Sequence, residues 1–312
     1  MITLDNILEN KRKEIEEDKE QESVRQLKRK IDSSPSTKDF STEIGKQGTN
    51  IIAETKIMSP SLNKQSGEGN LEQILELART YESSKPVAAI SVLSDGKYFG
   101  GSKEIMQEVR KNTTKPILRK DFIIDEYQIY QSRAYGADAI LLISAALKTN
   151  EMRKFVDLSR ELGMESLVEF STKEGKKKIP NNVKIYGRNY RHLELNKDLK
   201  SPEYDNIKDK DKTLIDDLPS NAIKVAESQI KTRSDIEWLK QEGFDAFLIG
   251  TAIATEDDVK GKIEKLGLSS PYSNPGHLLG GRDESGEHHK KVALGGGDRR
   301  TPSAIEWADA QP

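Results

Sequence analysis

Residues 116–143, PILRKDFIIDEYQIYQSRAYGADAILLI, carry one complete unit of the fold. A short apolar run, Pro116-Ile117-Leu118, stops at charge, a helical segment follows, and a second apolar run, Ala137 to Ile143, closes the unit. Working outward, the alternation continues in Ile51-Ile52-Ala53, Val87 to Val92, Ser166-Leu167-Val168, Val183 to Ile185, Ile223-Lys224-Val225 and Ala246 to Ile249, which makes eight runs in all. Strands apolar nearly throughout, alternating with amphipathic helices, bury both faces in a parallel sheet. Eight such units close into a (β/α)8 TIM barrel, in which catalytic groups collect on the face formed by the strand C-termini. Helical segments are expected at 71–83, 103–111, 126–135, 149–162, 172–178, 210–217, 231–243 and 256–266.

The barrel occupies residues 50–267, close to the ~250 residues typical of one such domain. Ahead of it, Leu4, Ile7, Leu8 and Ile15, then Val24, Leu27 and Ile31, repeat at helical spacing among dense charges. That pattern predicts an N-terminal helical extension over 1–49 with solvated charged faces. The tail, 268–312, is glycine-rich without an apolar period and reads as disordered, with His288-His289 solvated rather than metal-bound. Two stretches break the rhythm: the polar loop Ser61–Asn70, long enough to move over the site, and the charged stretch Lys197–Lys212, read as an extended loop after strand six.

Lys+Arg 50 against Asp+Glu 52 gives a net charge of −2, a balance that offers no footprint for nucleic acid or an anionic membrane. The absence of cysteine excludes disulfides, thiolate metal sites and a thiol nucleophile, and fits a reducing cytosol. The N-terminus MITLDNILENKRKEIEEDKE lacks an apolar core of signal-peptide length, and no stretch reaches the ~18 apolar residues of a membrane span. A cytoplasmic monomer is the default expectation.

Glu54 and Lys56, two apart at the end of strand one, point the same way in extended geometry. They read either as an acid–base pair or as a salt bridge closing the barrel top. Lys120 ends strand three in PILRKDFI, where hydration lost near the apolar residues of that stretch predicts a lowered pKa. Glu169 directly follows the apolar run of strand five, an arrangement that favours function over helix capping. Two lysines and two glutamates on separate strands suit chemistry that protonates one atom while removing a proton elsewhere, with no metal needed. Ser228 in VAESQIKT, Gly250 and Thr251 in FLIGTAIA, and Arg191 after strand six form a candidate phosphate site on consecutive strands.

Read in order, IIAETKIMSPS, SVLSDGKYFGGS, residues 116–143, LVE, GRNYRHLELN and VAES resemble the indole-3-glycerol phosphate synthase family of tryptophan biosynthesis, over residues 1–267. The resemblance implies a (β/α)8 barrel, needing no cofactor, that converts 1-(2-carboxyphenylamino)-1-deoxyribulose 5-phosphate by ring closure, decarboxylation and dehydration. It implies Lys120 as general acid and Lys56 as the holder of the substrate carboxylate. Glu169 would stabilise charge on the anilino nitrogen or act as base, Glu54 would share proton transfer, and Asn189 and Glu227 would orient hydroxyls and lysines. Ser59, Arg191, Ser228, Gly250 and Thr251 would hold phosphate. Phe99, Phe122, Leu141, Leu193 and Ile249 would line the aromatic-ring pocket, although Leu141 and Ile249 also read as plain barrel core.

The chain departs from the family pattern at Gln229, where glycine normally follows Glu-Ser, and also at Arg188, Tyr190 and Thr251. A misshapen Gln229 loop would give a phosphate-ligand-binding barrel of the same family with impaired turnover. An isomerase acting on a related ribulose phosphate is a third reading, disfavoured because it needs no anchor for a carboxylate.

Overall fold

The computed structural model describes residues 2–56, 70–192 and 204–268. Most of the Ser61–Asn70 loop, part of Lys197–Lys212 and the tail beyond Leu268 lie outside the described residues. Eight parallel strands form a closed barrel in sequence order: β1 Asn50–Glu54, β2 Val87–Leu93, β3 Ile117–Lys120, β4 Ala139–Ile143, β5 Glu165–Phe170, β6 Ile185–Asn189, β7 Ile223–Glu227 and β8 Ala246–Ile249, with β8 pairing back onto β1.

Alternate residues of each strand enter different layers, as a side-chain period of two requires. Ile52, Leu118, Leu141, Leu167, Val225 and Leu248 pack with one another inside the barrel. Ile51, Ile90, Ile117, Ile140, Val168 and Phe247 pack outward, beneath the helices. This double burial is why the strands read as continuous apolar runs.

Eleven α-helices are described: α1 Leu4–Gln21, α2 Val24–Asp32, α3 Phe40–Ile44, α4 Leu71–Ser83, α5 Lys103–Lys111, α6 Glu126–Ala134, α7 Thr149–Glu161, α8 Lys173–Lys177, α9 Arg233–Gln241, α10 Thr251–Ala254 and α11 Val259–Gly267. Polar side chains at Asn70, Ser102, Asp125, Thr172, Thr232 and Asp258 accept from first-turn N–H groups and fix where the barrel helices begin.

The helix expected at 210–217 is absent: only a 3-10 turn, Lys210–Lys212, forms. Leu214 takes a φ of 57°, a left-handed conformation that no right-handed helix continues. The segment expected at 256–266 forms α11, which Asp258 caps, and the short α10 ahead of it, Thr251–Ala254, was not anticipated. The unanticipated α3 sends Phe40 and Ile44 into the inner cluster. The Ser41 N–H donates to Glu165 Oε2 at 2.7 Å, so α3 sits where the strands start. The extension therefore packs on the barrel through more than a solvated pair of helices, and Lys11 in α1 is only 3% exposed.

Candidate active site

At the opposite end the strands finish in charge. β1 ends at Glu54; the Thr55 N–H donates to Ser91 O and the Lys56 N–H to Glu54 O, both at 2.9 Å. That tight turn brings Lys56 Nζ to 3.7 Å from Glu54 Oε1. β3 ends at Lys120, whose Nζ lies 3.4 Å from Glu169 Oε2 and 3.7 Å from Glu227 Oε2. Pairing register sets Glu169 opposite Gly187 and Asn189 opposite Glu227.

Two glycines make room for the carboxylates. A Cβ at Gly187 would stand 2.2 Å from Glu227 Oε1, and one at Gly250 would stand 2.6 Å from Glu54 Oε1. Nothing around Gly187 in the sequence singles it out, because the close approach comes from a neighbouring strand.

The electrostatics divide the two lysines. Burial alone would lower the Lys120 pKa, but Glu169, Glu227 and Glu54 together outweigh it and hold the ammonium above its ordinary range. The sequence expectation of a lowered value is thus corrected: burial at the end of an apolar strand could be foreseen, and three converging carboxylates could not. Lys56 is the lysine pushed down, by burial and by Arg191 and Lys120, against the pull of Glu54. Burial and then the charge of Glu169 raise Glu227 well above the ordinary carboxylate value, Lys120 opposing. Groups pushed apart in this way mark out acid and base roles.

These groups face one cavity of about 410 Å³, lined by Glu54, Lys56, Lys120, Asn189, Arg191 and Glu227 among others. Glu169 lies beneath it, buried against Lys120. Phe99, Phe122 and Leu141 line the same space, the two rings 6.1 Å apart. Ile249 borders the cavity but packs in the outer layer, and Leu248 is the β8 residue that both belongs to the inner cluster and lines the cavity. Alternation along β8 would have identified Leu248 from the sequence. Tyr204, which pairs with Arg191 in an isolated antiparallel bridge, also lines the mouth and was missed. Ser59 and Leu193 lie outside the described residues.

Arg191, Ser228, Gly250 and Thr251 gather on the β6–β8 side of the cavity. Asn189 Oδ1 accepts from the Arg191 N–H at 2.9 Å and so holds the start of that loop. Ser228 and Gln229 adopt φ values of 69° and 60°. A non-glycine residue in this conformation costs about 1–2 kcal/mol, so Gln229 occupies backbone that glycine takes freely.

A closed parallel barrel with paired ammonium and carboxylate groups at its C-terminal mouth, and hydroxyl, glycine and arginine groups beside them, defines a (β/α)8 enzyme of acid–base chemistry. A family model for indole-3-glycerol phosphate synthase matches residues 4–266. The indole-3-glycerol phosphate synthase of Alkaliphilus metalliredigens is 37% identical over 267 residues, covering 85% of this chain and 98% of the relative. That of Aquifex aeolicus is 37% identical over 258 residues, covering 81% and 95%. The chain belongs to the indole-3-glycerol phosphate synthase family, decarboxylating lyases of tryptophan biosynthesis. Among solved structures, a mutant tryptophan synthase alpha-subunit from Pyrococcus furiosus aligns with a TM-score of 0.51 at 14% identity, over 70% of this chain and 97% of that one. The 3-hexulose-6-phosphate synthase of Salmonella typhimurium aligns at 0.50 and 10%, over 70% and 96%. These two likenesses speak to the fold alone.

Proposed function

We propose that the mouth of this barrel closes the pyrrole ring of indole-3-glycerol phosphate, with Lys120 as the acid. Its ammonium, held charged between Glu169 and Glu227, donates to the ribulose carbonyl oxygen as the aromatic carbon bearing the carboxylate attacks the carbonyl carbon. Attack places positive charge on the anilino system, which Glu169 stabilises. Carbon dioxide then leaves, its bonding pair restoring aromaticity, and loss of water completes the indole.

Glu227, 3.7 Å from Lys120 Nζ, orients it together with Asn189. Lys56 anchors the substrate carboxylate, and Glu54 shares the proton transfers of dehydration. Arg191, Ser228, Gly250 and Thr251, with Ser59, take the phosphate. Phe99, Phe122, Leu141, Leu193 and Ile249 accept the anthranilate ring. No cofactor enters this scheme. The chain is read as a cytoplasmic monomer, in keeping with its lack of cysteine and, among the described residues, of any helix long and apolar enough to cross a membrane.

The observation that carries the proposal is Lys120 between two carboxylates at the floor of the cavity. Purified full-length protein given the carboxyphenylamino-deoxyribulose phosphate should develop indole fluorescence. Lys120→Ala and Glu169→Gln should each lose about 10²–10⁴-fold in kcat, the usual contribution of a positioned acid or base. Turnover near the wild-type rate in Lys120→Ala would refute the assignment. The strain at Gln229 favours one second reading, a barrel that binds the phosphate ligand but turns it over poorly; fluorescence from the unsubstituted protein decides between them.

A further inference from the structure

We propose that Lys11 of α1 is a positioning residue for the general acid, its buried ammonium tying together the loop that leaves β3 directly after Lys120 and the loop that carries Phe99. This rests on the reading of Lys120 given above. Lys11 stands four residues after Ile7 and four before Ile15, so α1 turns it inward on its apolar face. Its Nζ lies 2.6 Å from Glu14 Oε2, 2.9 Å from Asp95 Oδ2 and 2.9 Å from Asp121 Oδ1.

Asp95 belongs to the loop between β2 and α5. Its Oδ1 accepts from the Tyr98 N–H at 2.9 Å and its carbonyl from the Gly101 N–H at 2.8 Å, which shapes the turn presenting Phe99. Asp121 directly follows Lys120. Its Oδ1 also accepts from the Phe122 N–H at 2.8 Å, while Oδ2 takes Arg119 Nη2 at 2.8 Å and Ser94 Oγ at 3.1 Å. The Ser94 N–H donates to Lys120 O at 3.1 Å. Both residues flanking Lys120 are therefore fixed by the network that Lys11 completes, and one cation joins the Phe99 loop to the Phe122 loop.

Lys11 itself does not line the substrate cavity; Asp95 and Asp121 do. It faces a separate cavity of about 180 Å³ beneath α1, so any effect on turnover passes through those two carboxylates. Desolvating an ammonium and two carboxylates offsets much of what their attraction gains, and such a cluster contributes little net stability. Its effect is geometric, because each member has a single place in which all its bonds are made.

The test uses the full chain with Lys11→Met, with Asp95→Asn as a second variant that keeps the side-chain shape and frees Lys11 from one loop only. Ile15→Ala serves as a control that weakens α1 packing without touching either carboxylate. Lys11→Met should lower kcat on the order of 10²-fold, the cost of misplacing a catalytic group by about 1 Å, and Asp95→Asn should lower it in the same direction. The inhibition constant for inorganic phosphate should stay unchanged in both, since the phosphate groups lie on the β6–β8 side. Ile15→Ala should melt earlier yet keep kcat below its melting range. Wild-type kcat in folded Lys11→Met or Asp95→Asn, or an equal loss in Ile15→Ala, overturns the proposal. Turnover surviving in Lys120→Ala removes the general-acid reading and this proposal with it; a dead Lys120→Ala beside an unimpaired Lys11→Met overturns the role of Lys11 alone.

Discussion

Replacing Gly187 by alanine adds a single methyl group, and its consequences can be worked from the coordinates. The new Cβ falls 2.2 Å from Glu227 Oε1, 3.4 Å from its Cδ and 3.2 Å from Leu167 Cδ1. Gly187 does not have a positive φ, so the backbone accepts alanine and the methyl group alone acts. Restoring an ordinary contact of about 3.5 Å moves the carboxylate oxygen by more than ~1 Å. A shift of that size costs about 10²-fold in rate, or ~2.7 kcal/mol of transition-state stabilisation at 1.36 kcal/mol per tenfold. Overpacking in a filled interior adds about 1–3 kcal/mol of destabilisation. Steady-state kcat from indole fluorescence, with melting temperature alongside, should be measured for Gly187→Ala, Glu227→Ala and the double variant. Once the struck side chain is gone, Gly187→Ala should cost less than about twofold further, a strong coupling between neighbours. Near-wild-type kcat in Gly187→Ala, or simple additivity in the double variant, would refute the claim that this glycine exists to seat Glu227.

Gln229→Gly should relieve the left-handed strain at φ 60°, raising stability by about 1 kcal/mol and lowering KM for the phosphate substrate; an unchanged KM would clear Gln229 of any effect on phosphate binding. Glu227 has a raised pKa in the folded state, so the folded chain keeps a proton that the unfolded chain releases. Stability therefore falls as pH climbs from the ordinary carboxylate value of 4.5 toward the folded one. Denaturant unfolding should show uncharged Glu227→Gln gaining on the wild type across that window and matching it below, and parallel curves would contradict the assignment.

The barrel was legible because its strands are buried on both faces, which leaves apolar runs in the sequence whatever the register. The α4 and α5 boundaries, at 71–83 and 103–111, were legible from periodicity bounded by polar caps. Helix α3 was not, since five residues are too few to show a period. At 210–217 the apolar Leu214 and Ile215 suggested a helix, and only backbone geometry reveals the left-handed turn that ends it. In the site, residues at strand ends were readable because polarity breaks an apolar run. What the sequence concealed was convergence: the three carboxylates that reverse the expected Lys120 shift come from β1, β5 and β7, and Gly187 matters through a side chain on the next strand. Lys11 left one trace, an ammonium where α1 keeps its apolar stripe, which a solvated-face reading passes over.

Helix α3 covers the barrel at the starts of its strands, where Phe40 and Ile44 join Ile185, Val225 and Ala246 in the inner cluster. With the packed layers above it, this end of the barrel is closed by side chains. Among the described residues Lys120 is reached through the cavity at the C-terminal ends of the strands, so on the proposed reading substrate and products meet the protein at one face.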